Sequence, residues 1–199
     1  MKKILHVISS PRNGASFSIQ LGNAIIGKIK AAHPGSTVKE TNLAKDYFPH
    51  LEEAHLASFF TPPENRTPEN IEAVRHSDEA IREIMDADII VISTPLYNFG
   101  IPSSLKAWLD HIVRAGSTFK YDANGAAGLV KGKKAYIAVA SGGVYSEGPM
   151  QPYDFVVPYL KWILGFIGIT DITVQRIEGT SIPGIQDTAV KKGLESIVL

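Results

Sequence analysis

The chain has no cysteine, no excess of either charge and no apolar run long enough to cross a membrane. Each absence removes a class of function. Without cysteine there are no disulfides, no thiolate nucleophile and no cysteine-ligated metal. Lysine plus arginine and aspartate plus glutamate stand at 20 each in 199 residues. No net field therefore draws the chain to nucleic acid or to an anionic membrane. The most apolar late run, Trp162 to Ile169, is about a third of a membrane span and carries two glycines. The start Met1-Lys2-Lys3-Ile4-Leu5 is basic, but Ser9-Ser10-Pro11-Arg12 interrupts any signal-peptide core. Asn65-Arg66-Thr67 is a formal glycosylation sequon that carries no weight without secretion. The six histidines form no His-Glu-x-x-His pair, and no Gly-x-Ser-x-Gly elbow is present. The expectation is a soluble, cytoplasmic protein with no metal, nucleic-acid or membrane partner.

What the chain does have is a 44% hydrophobic content in one strand–helix alternation. That suits a single domain over residues 1–199 with a substantial core. Ile4 to Ser9 reads as a strand, and Ser16 to about Ala32 as a helix with Leu21, Ile25 and Ile29 on one face. Pro34-Gly35 ends it, and Thr37 to Asn42 is a second strand. Residues 43–67 are too long for a short crossover. They hold Pro49, Pro62-Pro63 and a short helix near Leu51 to Phe59, so they read as a functional or interface element. Thr67-Pro68-Glu69 opens a helix to about Asp86, with Ile71, Val74, Ile81 and Ile84 inward. The run Ile89-Ile90-Val91-Ile92-Ser93 suits a parallel strand covered on both sides. A helix from Pro102 to Val113, a loop over 114–132 and a strand over Lys134 to Ala140 follow. A helix from about Pro152 to Phe166, a fifth strand near Ile172 to Ile177 and a helix from Asp187 complete the chain. Five strands so connected predict an α/β fold: a flavodoxin-like doubly wound parallel sheet, order 2-1-3-4-5, with helices on both faces.

That order brings three loops together at the carboxyl ends of strands one, three and four, where open α/β sheets bind ligands. Ser9-Ser10 with Ser16-Phe17-Ser18 lead into a helix N-terminus, where free N–H groups, the helix dipole and hydroxyls suit a phosphate. The plainer reading is that Ser16 or Ser18 only caps the helix. The loop lacks both the Gly-x-Gly-x-x-Gly of dinucleotide folds and the Walker lysine, so a monophosphate fits better than a pyrophosphate. Arg12 reads as a solvated loop arginine. Pro95-Leu96-Tyr97-Asn98-Phe99 places aromatic rings and an amide at a strand end, which suits a flat ligand with polar edges. Three consecutive side chains cannot all enter one core, so at least one meets solvent or ligand. Gly142-Gly143, after Ala140-Ser141, permits close backbone approach to such a ligand, although it is also an ordinary turn. A flavin monophosphate meets all three descriptions.

At these loops the chain resembles the FMN-dependent NADH-azoreductase family, relatives of flavodoxin-like NAD(P)H:quinone oxidoreductases. The resemblance extends through Arg114 to Tyr121, Gly128 to Ala135 and Leu164 to Thr170, in the family's order over nearly the whole chain. It implies a homodimer with FMN near the subunit interface and ping-pong transfer from NADH to quinones or azo compounds. Carried over by position, Ser10, Ser16, Phe17 and Ser18 would bind the FMN phosphate. Pro95, Leu96, Tyr97, Asn98 and Phe99 would flank the isoalloxazine, and Ala140, Ser141, Gly142 and Gly143 would hold its polar edge. Two departures stand out. The family commonly has Ser-Arg-Gly-Gly where this chain has Ala140 to Gly143, and the stretch Tyr145 to Phe155 is slightly longer.

Flavin chemistry asks the protein for position and electrostatics, so no catalytic residue is expected. Phe99 and Tyr121 are the candidate acceptor contacts; Phe119, Trp162 and Phe166 read as core or dimer contacts, and Phe59-Phe60 as a possible lid. The apolar helix with Leu105, Trp108, Leu109, Ile112 and Val113 is either deeply buried or paired with a second subunit. His6 reads as a satisfied core residue. His111 reads as a proton donor or, more commonly for such a position, as a polar interface residue. Two rival functions share the fold: a non-catalytic FMN electron carrier, and a protein that senses flavin or quinone. Carriers dock through strongly acidic surfaces, and this chain is neutral.

Overall fold

The computed structural model describes residues 1–199. In chain order its strands are β1 (Lys3–Ile8), β2 (Thr37–Asn42), β3 (Ile89–Pro95), β4 (Phe119–Asp122), β5 (Gly125–Gly128), β6 (Lys134–Ala140) and β7 (Asp171–Ile177). The helices are α1 (Phe17–Ala32), α2 (Glu53–Phe60), α3 (Pro68–Asp86), α4 (Ser103–Ile112), α5 (Val157–Ile167) and α6 (Gln186–Glu195). Five strands form one parallel sheet in the order β2-β1-β3-β6-β7, which is 2-1-3-4-5 by position. The remaining two correct the sequence expectation: β4 and β5 form an antiparallel hairpin inside the predicted 114–132 loop.

Burial explains the order. All seven residues of β3 are buried, so this strand can only be central. β2 is mostly exposed and lies at an edge. Alternate strand residues enter two separate clusters. Leu5, Val7, Ile90, Ile92 and Ile137 pack with residues of α3, α4 and α5. Ile4, Ile89, Val91, Tyr136 and Ala138 pack with Leu21, Ile25 and Ile29 of α1. Gly22 is where α1 comes closest: a Cβ there would lie 2.0 Å from Ser93 Oγ. The absence of a side chain lets the helix rest on the sheet centre.

Local chemistry fixes the helix starts. Ser16 caps α1 by accepting from the Ile19 amide, and Thr67 and Asn70 form a reciprocal box at α3. α5 begins at Val157, five residues later than expected, because Asp154 Oδ1 accepts from the Val156 and Val157 amides. Residues 148–153 form a 3₁₀ turn instead. α4 proves deeply buried, with Leu105, Trp108, Leu109 and Ile112 at 1% exposure or less. Ile71, expected inward, is exposed, and so is Trp162.

The 43–67 excursion packs on α3 and α4. Phe48, His55 and Phe59 surround the His111 ring edge-on, with centroids 5.2, 5.0 and 6.0 Å away. Arg114 stacks over Phe59 and bonds Ser77, Asp78 and Ser117. His111 is therefore a buried group within its own chain, with neither ring nitrogen hydrogen-bonded to a protein atom. Burial, then the neighbouring His55, lowers its pKa to about 4, against the weaker opposing pull of the Pro49 carbonyl. Burial likewise lowers His6 to about 4; its Nε2 lies 2.8 Å from Ser93 Oγ.

Both imidazoles are neutral in the folded chain, while in the unfolded chain each takes a proton below its ordinary 6.5. The unfolded state therefore binds more protons between pH 6.5 and 4, and stability is lost as pH falls through that window. Each group contributes up to about 3 kcal/mol to this loss. Denaturant unfolding at pH 7.5 and 4.5 should show His111→Phe losing about 2–3 kcal/mol less than the native sequence. An equal loss would contradict the neutral burial of His111.

Candidate active site

The carboxyl ends of β1, β3, β6 and β7 open into one cavity of about 300 Å³. Its first wall is the loop after β1. The Ser9 amide and hydroxyl both donate to the Ser93 carbonyl, at 3.0 and 3.2 Å, tying this loop to β3. Ser10 is buried, and its hydroxyl accepts from the Arg12 amide at 3.4 Å. Ser16 Oγ lies 3.0 Å from Ser18 Oγ. The Phe17 and Ser18 amides find no acceptor in the chain, as expected of a helix's first turn. Buried hydroxyls, two free amides and the positive end of α1 together make an anion cradle. Arg12, expected to be a solvated loop residue, is exposed but borders the cavity and has no carboxylate partner.

The second wall follows β3. The Leu96 amide donates to the Ala140 carbonyl at 2.9 Å, joining it to the third. Tyr97 and Gly100 exchange backbone hydrogen bonds of 3.1 and 3.0 Å around a tight turn. Its central residues, Asn98 and Phe99, have φ of 49° and 68°. Asparagine tolerates that left-handed region; a phenylalanine there is strained. Tyr97 and Phe99 are 40% and 43% exposed. As the sequence required, the three adjacent side chains do not share one core.

The third wall joins two loops. Ser141 Oγ donates to the Gly143 carbonyl at 2.8 Å, holding the turn from within. The Ser181 amide donates to the Gly142 carbonyl, and Thr180 bonds the Ser141 carbonyl through both its amide and its hydroxyl. A Cβ on Gly142 would sit 2.9 Å from Ser181 Oγ. The Gly142 and Gly143 amides are left without acceptors in the chain. Thr180 and Ser181 line the cavity and were missed from the sequence. Their signal was a hydroxyl pair in the loop that follows the fifth strand, at the same carboxyl edge.

Of the candidate residues, Ser10, Ser16, Phe17, Pro95, Leu96, Tyr97, Ala140, Ser141 and Gly142 line this cavity. Ser18 lies buried beside Ser16, and Asn98 and Gly143 are next in chain to lining residues, while Phe99 is one residue further from the wall. Tyr121 is elsewhere: it is exposed on β4, edge-on to Phe119 and outside the cavity of its own chain. A larger hollow of about 510 Å³ opens at the amino ends of the strands, among Lys2, Asp88, Lys133 and Asp171. Its charges are mixed, and it lies at the sheet edge where parallel folds do not place ligands. The smaller cavity is the better candidate.

The model of a family described by its flavodoxin-like fold matches residues 2–198. The chain belongs to this flavodoxin-like family. Among its relatives, the FMN-dependent NADH:quinone oxidoreductase of Herminiimonas arsenicoxydans is 50% identical over 182 residues, covering 92% of this chain and 89% of that protein. A crystal structure of an azoreductase from Bacillus anthracis superposes with a TM-score of 0.90 at 34% identity, covering 98% and 96% of the two chains. An FMN-dependent NADH-azoreductase from the same species, solved in complex with FMN, gives 0.86 at 29% identity, covering 98% and 97%. The flavodoxin-like frame thus carries its cavity where this family's sheet order reverses.

The helix cap that Ser16 makes is separable from the anion contact expected of it. Glycine at a cap costs a helix only a few tenths of a kcal/mol, roughly, relative to serine. Ser16→Gly should therefore melt near the native sequence while its affinity for FMN, followed by quenching of flavin fluorescence, falls about tenfold. Equal affinities would leave Ser16 a cap and nothing more.

Proposed function

We propose that this chain is an FMN-dependent NADH oxidoreductase that reduces quinones and azo compounds by ping-pong hydride transfer. The observation that carries the reading is the meeting of three features at one sheet edge: the free amides of α1, the left-handed Tyr97–Gly100 turn, and the free Gly142 and Gly143 amides. They occur in a chain that is 50% identical to an FMN-dependent NADH:quinone oxidoreductase. The residues fit the cofactor. A phosphate needs an anion cradle, a ring needs a flat aromatic wall, and a pyrimidine edge needs donors.

On this reading Ser10, Ser16, Phe17 and Ser18 hold the FMN phosphate. Pro95, Leu96, Tyr97, Asn98 and Phe99 flank the ring system, and Ala140 to Gly143 donate to its polar edge, with Thr180 and Ser181 behind them. Ser141 does not replace an arginine contact; its hydroxyl is committed to the Gly143 carbonyl and shapes the turn. FMN held there would supply the hydride acceptor for NADH and the hydride donor for the quinone or azo compound, and the chain's own work is to orient both partners and exclude water. Phe99 contacts the acceptor from within the chain. Tyr121, outside the cavity of its own chain, would do so only from the second copy of the homodimer that is part of this proposal.

We also infer one domain over 1–199, with helices on both sides of the sheet, since alternate strand residues pack with different helices. No helix is long and apolar enough to cross a membrane; a cytoplasmic location is part of the proposal.

The test is the visible spectrum of the purified protein after adding FMN and removing the excess. Flavin bands should be retained, bleach anaerobically with NADH and return with a quinone. Bands that ignore NADH would favour the electron carrier, and bands that bleach without passing electrons to any acceptor would favour a sensor. Asn98→Ala replaces the residue best suited to its left-handed backbone and removes an amide beside the ring. It should lower flavin retention or slow turnover several-fold, roughly the effect of one lost hydrogen bond. Unchanged flavin content and rate would remove Asn98 from the site.

A further inference from the structure

Arg176, on β7, is absent from the cavity wall, yet it joins the two ends of residues 145–155, which pack against Phe99 beside that wall. Its Nη2 donates to Asp154 Oδ2 at 2.5 Å, and its Nη1 to Glu178 Oε1 at 3.2 Å. The same Glu178 oxygen accepts from the Tyr145 and Ser146 amides, at 2.7 and 3.0 Å. Asp154 uses its other oxygen to accept from the Val156 and Val157 amides. All three side chains are at least four-fifths buried, at 18%, 5% and 11% exposure for Arg176, Asp154 and Glu178. One guanidinium thus fixes where residues 145–155 begin and where they end. A planar fork with several donors can do this, and a point charge cannot.

Between those ends the segment meets the flavin turn. The Phe155 amide donates to the Phe99 carbonyl at 3.1 Å. The Tyr145 and Tyr153 rings lie 6.3 and 6.0 Å from the Phe99 ring, edge-on and tilted. No residue of β7 itself reaches Phe99 through these contacts; the chain of bonds runs Arg176, then the segment ends, then the aromatic wall.

We infer that Arg176 is a positioning residue that pins Tyr145 to Phe155 against Phe99 and thereby sets the width of the acceptor side of the cavity. The inference rests on the oxidoreductase reading for its effect on acceptors, though the pinning itself does not. Residues 146–153 are all exposed, and a segment with no core of its own needs an anchor at each end. Acceptor choice thereby becomes a property of a network some distance from the reacting atoms.

Amide hydrogen exchange on the full chain without flavin tests the pinning directly. In Arg176→Ala, exchange across residues 145–157 should accelerate about tenfold or more, with β1 and β3 unchanged. With FMN bound, the rate of bleaching by NADH should stay within about twofold. The KM for a bulky azo acceptor should change about five-fold, while that for a small benzoquinone changes little. Arg176→Lys, which keeps charge but reaches one carboxylate at a time, should fall between the two. If Arg176→Ala proves too unstable to purify, Glu178→Ala, which removes the acceptor of the Tyr145 and Ser146 amides, should free the 145–147 end alone.

Unchanged exchange in the segment, or faster exchange throughout the molecule, overturns the pinning. Full restoration by lysine overturns the bridging role of the guanidinium. Local loosening with unchanged acceptor KM values overturns the link to specificity. Should the native sequence never pass electrons from NADH to any acceptor, the functional reading fails, and the exchange pattern still decides whether Arg176 pins the segment.

Discussion

The Ser93 carbonyl accepts from both the amide and the hydroxyl of Ser9, and much of the site depends on that pair of hydrogen bonds. It fixes the height at which the chain leaves β1 relative to β3. The Ser93 hydroxyl meets His6 Nε2 on β1, and Gly22 of α1 packs directly above the pair. Strand, strand and helix are thus locked at one point, just below the place where both chains turn into loops. The free amides at the start of α1 are aimed by this lock. A bulkier residue at Gly22 would lift the helix and move the cradle with it. The polar residues inside this part of the core are joined to each other, which is how a buried hydroxyl and imidazole avoid a desolvation penalty.

A second buried polar group is handled differently. His111 has no hydrogen bond to a protein atom and sits among Phe48, His55 and Phe59, with Arg114 stacked on the last of these. Here the aromatic rings are what fix the 43–67 excursion on α3 and α4. The long segment is therefore a packed cover with its own aromatic core, and Phe59 is part of that core. Phe60, the other half of the expected lid, points into solvent. The arrangement holds while His111 is uncharged and loosens when it is not, because nothing close by compensates the positive form except the Pro49 carbonyl and the more distant Asp110.

These two histidines show which parts of the molecule the sequence could disclose. β3 was legible because five consecutive β-branched or small residues leave no amphipathic alternative, and the cap at Thr67-Pro68 was legible because its chemistry is local. The hairpin of β4 and β5 was not. Each strand has four residues, and β5 is Gly-Ala-Ala-Gly, which has no β signal of its own. It exists because its neighbours in space accept it. Ile71 was misplaced for a similar reason: helical spacing marks a face, but not how far along the helix that face stays covered. The serines and glycines that line the cavity could be grouped from the sequence because the sheet order alone brings their loops to one edge. Thr180 and Ser181 required knowing that the loop after β7 leans back on the loop after β6. The role of Arg176 required distances.

The turn at Asn98–Phe99 combines backbone strain with anchoring from outside the turn. Two left-handed residues in a row are the geometry of a tight hairpin turn, for which Asn-Gly is the usual solution. This chain places Gly100 one position later and keeps a phenylalanine at φ of 68°. The left-handed conformation costs a non-glycine residue about 1–2 kcal/mol. That cost is offset by the reciprocal Tyr97–Gly100 bonds and by the Phe155 amide on the Phe99 carbonyl. A ring retained in a strained, half-exposed position, where glycine would relieve the backbone, is being used for what it touches outside the turn. The neighbouring segment that supplies the offsetting bond is itself held by Arg176. Strain at Phe99 and anchoring at Arg176 are on this view two ends of one device, in which rigidity gathered on β7 keeps an aromatic wall upright beside the cavity.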